Sequence, residues 1–226
     1  MNLSDIRAQL EDELTWRQDE MRLLRNQLSH MDREDEKRRY RKALVVMLYS
    51  HYEGFCKTAF DIYVDAVNQE HICCSNANDH IIALTFADIF KALDIPNSKC
   101  KIFKSILPDD AKLHRFCRQV NFIAGLDNFL SMPVNIPEDA INTESNLSRE
   151  VMRKLLFRLG FPYNAFEKHE YQIKGLLDER NSIAHGKSQE GIDEEIYIKL
   201  EKSTYEIMSE LREIIMHALI DQIHMK

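Results

Sequence analysis

The chain has 226 residues, 44% of them hydrophobic and 30% charged, with a formal net charge of −7. That composition suits one substantial core within the size of a single domain. No apolar run is long enough to span a bilayer, and the polar, acidic start does not read as a signal peptide. The negative balance creates no general field for nucleic acid, so any RNA contact must come from local basic patches. Five cysteines without a CxxC spacing argue against a disulfide framework and for a reducing, cytoplasmic setting.

All five prolines (Pro96, Pro108, Pro133, Pro137 and Pro162) lie in the central region, leaving two proline-free arms. This predicts long helices at both ends around a broken middle, an all-α fold. The first helix is expected over about 3–30, with Leu3, Ile6, Leu10, Leu14, Leu24 and Leu28 apolar. Its spacing leaves open whether it packs on a bundle or extends an interface.

A second helix is expected over about 34–68. It opens on a mixed charge run, Asp32 to Lys42, of the kind that usually forms a solvated face. Arg38, Arg39, Arg41 and Lys42 are nevertheless candidates to grip phosphates. Further on, Val46, Tyr49, Glu53, Cys56 and Phe60 share one helical stripe in which Glu53 is the only charge. The neighbouring stripe (Val45, Leu48, Tyr52, Ala59, Tyr63) is apolar, so this helix is expected to be central. Gly54 costs about 1 kcal/mol against alanine inside a helix. Close approach by a second helix would offset that, with the helix around residue 180 as the candidate.

The adjacent Cys73 and Cys74, with His71 nearby, are read as ordinary packed or surface residues, because neighbouring cysteines seldom chelate one zinc well. Short helices are expected from Phe86 to Leu93 and from Asp109 to about Gly125, the latter capped by Asp109 or Asp110. Lys99, Lys101, Lys104, Lys112, Arg115 and Arg118 make a second basic set there. Asp127 to Thr143 reads as an irregular connection. A helix from Ser148 to Leu159, one ending near Arg180, and a long last helix from about Asp193 complete the chain. The domain expectation is one unit over 1–226, with 1–35 as a helical extension and 95–145 as an irregular insertion.

The most specific sequence is Arg180-Asn181-Ser182-Ile183-Ala184-His185-Gly186. It closes a helix whose apolar stripe runs through Ile173, Leu176, Leu177, Ile183 and Ala184. Arg180 interrupts that stripe, so its guanidinium requires carboxylate, phosphate or carbonyl partners. Asn181 and His185 are four apart and share a face. Arg180 and His185 are five apart, on the order of 140° around the axis, so one copy makes a poor compact site. Two copies across a symmetric dimer bring both sets into one cleft. Gly186 suits the left-handed residue just past a helix end.

With these residues the chain resembles the HEPN superfamily of helical, metal-independent ribonucleases, marked by Arg, a polar residue, then His near a helix end. The segment from Leu48 to Lys57 resembles the Tyr-x-His-aromatic-Glu-Gly-Phe-x-Lys stretch of the MAE-type members, related to the RiboL-PSP group. Asn146-Leu147-Ser148 through Leu155 to Gly160 resembles the stretch that precedes their motif. The likeness covers about residues 40–225.

It implies a HEPN-like bundle and a cytoplasmic homodimeric endoribonuclease, a toxin or antiviral effector, with an antitoxin or sensor protein as a further partner. Arg180, His185 and Asn181 would be catalytic, Glu53 supporting as a partner of Arg180 or of a ring nitrogen of His185, and Lys187, Arg38, Arg39 and Arg41 RNA-binding, with no metal or cofactor. RNA carries its own 2′-hydroxyl nucleophile, so histidine can serve the proton transfers and arginine the phosphorane charge. The product ends would be a 2′,3′-cyclic phosphate and a 5′-hydroxyl. Some HEPN toxins carry, two residues after the histidine, a tyrosine that an antitoxin modifies. Here that position is Lys187, so that route is not implied. The alternatives are a non-catalytic helical module binding RNA, nucleotide or protein, with Arg180 paired to Glu53, and a subunit sensing a nucleotide or phage product.

Overall fold

A computed structural model describes residues 2–95, 99–100, 110–187 and 189–226. Among them the regular structure is helical, with only isolated β-bridges at Cys73–Pro133 and Ala77–Met225. No helix among the described residues is long and apolar enough to cross a membrane.

Helix α1 (Leu3–Asn26) starts where the Asn2 side chain accepts the Ser4 N–H, and ends in a 3₁₀ turn over Gln27–His30. Its buried residues Ile6, Leu10, Leu14, Arg17 and Met21 step three or four apart, and this stripe packs on the bundle. Helix α2 (Glu34–Gln69) has 36 residues, roughly 54 Å at 1.5 Å per residue. Glu34, Asp35 and Glu36 in its first turn suit the positive end of its dipole. Both predicted stripes are realised, and Tyr49, Tyr52, Phe55, Phe60 and Tyr63 are all buried.

The middle is more helical than expected. The single helix anticipated from Phe86 to Leu93 is α4 (Ala87–Asp94), and α3 (Asp79–Thr85) precedes it, capped by Asn78. The two meet at Phe86, where φ −90° and ψ 10° interrupt the helical path. Helix α5 (Ala111–Ala124) is capped by Asp110, whose carboxylate accepts the Lys112 and Leu113 N–H groups. The stretch expected to be irregular holds α6 (Leu126–Ser131) and a 3₁₀ turn at Glu138–Ala140. Lys101 and Lys104 of the second basic set lie outside the described residues. Of the rest, Arg115 pairs with Asp94 and Arg118 donates to the Leu93 carbonyl.

Ser148 caps α7 (Arg149–Arg158). A 3₁₀ turn at Glu167–His169 leads into α8 (Glu170–Ala184), and α9 (Glu194–Ile220) closes the bundle. Helix α2 packs against α1, α8 and α9, as its two apolar stripes require. Gly54, however, does not face α8. A Cβ there would meet Nη2 of Arg17 at an ordinary 3.6 Å, so its neighbour is a buried arginine of α1 and the space does not demand glycine.

Candidate functional site

The end of α8 is set by its own backbone. Gly186 takes φ +65°, its N–H donates to the Ile183 carbonyl at 3.1 Å, and the Lys187 N–H donates to Ser182 at 2.9 Å. That pair of bonds is a Schellman stop, and only glycine adopts the left-handed turn without strain. It places His185 at the C-cap, exposed, with its N–H donating to the Asn181 carbonyl at 3.0 Å. The Asn181 Oδ1 accepts from Nη1 of Arg180 at 2.8 Å.

Arg180 is half-buried against α2, and its guanidinium carbon lies 4.3 Å from the centroid of the Tyr49 ring. Face-on contact at that distance is a cation–π interaction. The anticipated ion pair with Glu53 does not form: among the described residues no carboxylate comes within 4.0 Å of Arg180. Glu53 instead lies beside Tyr49. Burial first, and then the Glu53 charge, push the Tyr49 phenol well above its ordinary value of 10.0, while Arg180 pulls the other way. The Tyr49 hydroxyl also accepts the Leu147 N–H at 2.7 Å. The three resembling segments therefore meet at one ring, Tyr49 from the first, Leu147 from the second and Arg180 from the third.

Two of the four candidate RNA-binding cations are committed elsewhere. Arg41 is only 2% exposed, bridging Glu34 at 2.7 Å and Glu194 at 3.5 Å, and donating to the Ile192 carbonyl. Arg38 pairs with Asp193 at 3.1 Å, and its carbonyl accepts the Ile192 N–H. Both fasten the segment after α8 onto α2; Arg41 is buried in doing so, whereas Arg38 keeps a partly exposed side chain. Arg39 and Lys187 are exposed.

His51, inside the first segment, points away from this site. It is buried on the α1 side, edge-on to Trp16, with Nε2 3.1 Å from Glu20 but not aligned for a hydrogen bond.

An all-helical bundle of this kind is consistent with a HEPN-type module. The chain belongs to the MAE_28990-like HEPN family, whose model matches residues 6–223. The match takes in α1, which the resemblance read from the sequence left out. Neither the curated proteins nor the solved structures give a match.

Proposed function

We propose that the chain is a metal-independent endoribonuclease that acts as a homodimer, with Arg180 and His185 from both copies in one cleft. The observation that carries the reading is the state of Arg180: its guanidinium is held by an aromatic face and an amide oxygen, with no carboxylate of the described residues on it. An arginine in that state retains its charge for a phosphate.

His185 supplies the proton transfers. Its ring stands at an exposed helix end, and an imidazole can both accept and donate a proton. The 2′-oxygen attacks the adjacent phosphorus as one imidazole removes its proton. The P–O5′ bond then breaks as a protonated imidazole donates to the leaving oxygen, leaving a 2′,3′-cyclic phosphate and a 5′-hydroxyl. Two histidines from two copies divide the base and acid roles. Arg180 neutralises the phosphorane, a contribution of several kcal/mol for preorganised donors. Asn181 steadies Arg180. The biological role that fits is a toxin or antiviral effector held in check by an antitoxin or sensor.

The test is incubation of purified protein with RNA in excess EDTA, followed by mapping of product ends. Cleavage with cyclic-phosphate ends, lost in a folded His185→Ala variant, is expected. Strict dependence on Mg²⁺, or full activity in His185→Ala, would overturn the reading in favour of a different mechanism or a binding module.

A further inference from the structure

We infer that Tyr49 is the positioning residue for Arg180, a clamp that fixes the guanidinium by its face and leaves its edge open to a phosphate. The phosphate part rests on the nuclease reading above, whereas the clamp itself does not.

A guanidinium has a planar face and an edge bearing five N–H groups. A carboxylate partner would occupy the edge and neutralise the charge. An aromatic ring engages only the face and leaves the edge for oxygen acceptors. Here the ring is Tyr49, 4.3 Å below the guanidinium carbon, and Asn181 takes one edge donor at 2.8 Å. The phenol stays neutral, because burial and Glu53 both oppose its ionisation. It therefore cannot act as a counter-ion to Arg180.

The ring is itself immobilised. Tyr49 is 1% exposed within the core of α2, packs edge-on to Tyr52, and has its hydroxyl tied to the Leu147 N–H. Leu147 is fully buried at the end of a tight loop. In that loop Glu144 (φ 54°) and Ser145 (φ 55°) are consecutive non-glycine residues in the left-handed region. Such backbone persists only where its surroundings over-determine it. The loop is held by the Asn142 side chain, which accepts the Glu144 N–H at 2.7 Å, by the Asn146 N–H donating to the Thr143 carbonyl at 3.0 Å, and by the Ser148 cap of α7. Core packing thus holds the ring beneath the arginine, and the hydroxyl bond ties the Leu147 loop to that ring rather than the ring to the loop.

The experiment uses the full-length protein labelled at arginine side chains. The Arg180 NεH resonance, assigned by its absence in Arg180→Lys, is expected upfield in the ring current of Tyr49. That shift should persist in Tyr49→Phe and disappear in Tyr49→Leu. On RNA, Tyr49→Phe should cleave close to the wild type. Tyr49→Leu should lose on the order of 10²-fold, mainly in kcat, as expected for an angstrom-scale misplacement. An unshifted Arg180 resonance in the wild type overturns the clamp, whatever happens to RNA. So does a folded Tyr49→Leu with wild-type kcat, or a folded Tyr49→Phe that has lost it. A shifted resonance in a wild type that cleaves no RNA supports the clamp and removes the nuclease reading. If Tyr49→Leu does not fold, the wild-type resonance and Tyr49→Phe still decide.

Discussion

Gly191→Ala is the substitution for which the structure predicts the largest effect from a single methyl group. A Cβ at residue 191 would lie 2.4 Å from both C and Cβ of Arg38 and 2.6 Å from its carbonyl oxygen. Ordinary contact begins at 3.4 Å, and the obstacle is largely helix backbone, which cannot swing aside. The segment 189–193 must therefore lift from α2 by about 1 Å, a gap that forfeits much of the dispersion contact. Lifting breaks the 2.9 Å bond from the Ile192 N–H to the Arg38 carbonyl, a loss of about 1 kcal/mol. It also withdraws Ile192, now 4% exposed, from the core. Loss of about half its burial costs a further 1 kcal/mol or more, since full burial contributes about 1.5–3 kcal/mol. A total of about 2–3 kcal/mol corresponds to a Tm lower by roughly 4–12 °C for a chain of this size. Gly54→Ala is the control of opposite sign. Its Cβ meets Arg17 at an ordinary 3.6 Å within a regular helix, so about 0.5–1 kcal/mol of stabilisation is expected. Thermal unfolding followed by circular dichroism reads both. A Gly191→Ala protein that melts with or above the wild type would refute the argument.

Three further outcomes are expected. In a double-mutant cycle on thermal unfolding, Arg180→Ala and Glu53→Gln should couple by less than about 0.5 kcal/mol, because no ion pair joins them; strong coupling would restore Glu53 as the direct partner. Arg39→Ala and Lys187→Ala should each weaken RNA binding and reduce its salt slope by about 1 if the residue meets a phosphate. Arg41→Ala should instead lower the Tm at unchanged slope, and a changed slope would return Arg41 to the RNA surface. Burial holds the His51 ring below its ordinary value of 6.5, with Glu20 opposing and Arg17 adding to the shift. The unfolded chain then binds the proton more tightly. His51 thus stabilises the fold above that unfolded value, and the contribution is lost as pH falls through it. His51→Phe should flatten the Tm–pH curve between about pH 7 and 5, the range where an unperturbed histidine titrates; an unchanged curve counts against the assignment.

The helices and their ends were legible because they depend on local patterns. Gly186 after an apolar stripe announced the stop of α8, and Asp110 and Ser148 stand at helix starts as capping chemistry requires. What failed was pairing between helices. Tyr49 read only as one apolar position in a stripe, and nothing in its neighbourhood disclosed that a residue 131 positions away would lie on its ring. Gly54 was read as a place of close approach by the helix around residue 180, but its neighbour is Arg17 of α1, at a distance an alanine would tolerate. Arg41 is different, because its signal was present. It stands four residues before Val45 and seven before Leu48, on the apolar stripe of α2, where a charge is internal. Arg39, two residues away, falls on the opposite side and is exposed. Weighing phase along the helix above clustering of charge would have separated them.

On the nuclease reading proposed above, the same separation bears on how a chain of net charge −7 would meet RNA. Charges beyond roughly 8–10 Å are screened at physiological salt, so the overall repulsion matters less than the cations beside the phosphate. With Arg41 fastened to Glu34 and Glu194 and Arg38 paired with Asp193, the proposal leaves Arg180, Arg39 and Lys187 as its phosphate-binding cations. Few phosphate contacts imply weak ground-state affinity and a shallow salt dependence. Discrimination then depends on which RNA presents a scissile phosphate to a fixed arginine and two histidines, and binding energy appears mainly in the transition state. A site of this kind suits single-stranded or flexible RNA, whose backbone bends to the in-line geometry, over a rigid duplex. Tight binding of duplex RNA with a steep salt slope would contradict that chain of reasoning at its first step, the count of free cations.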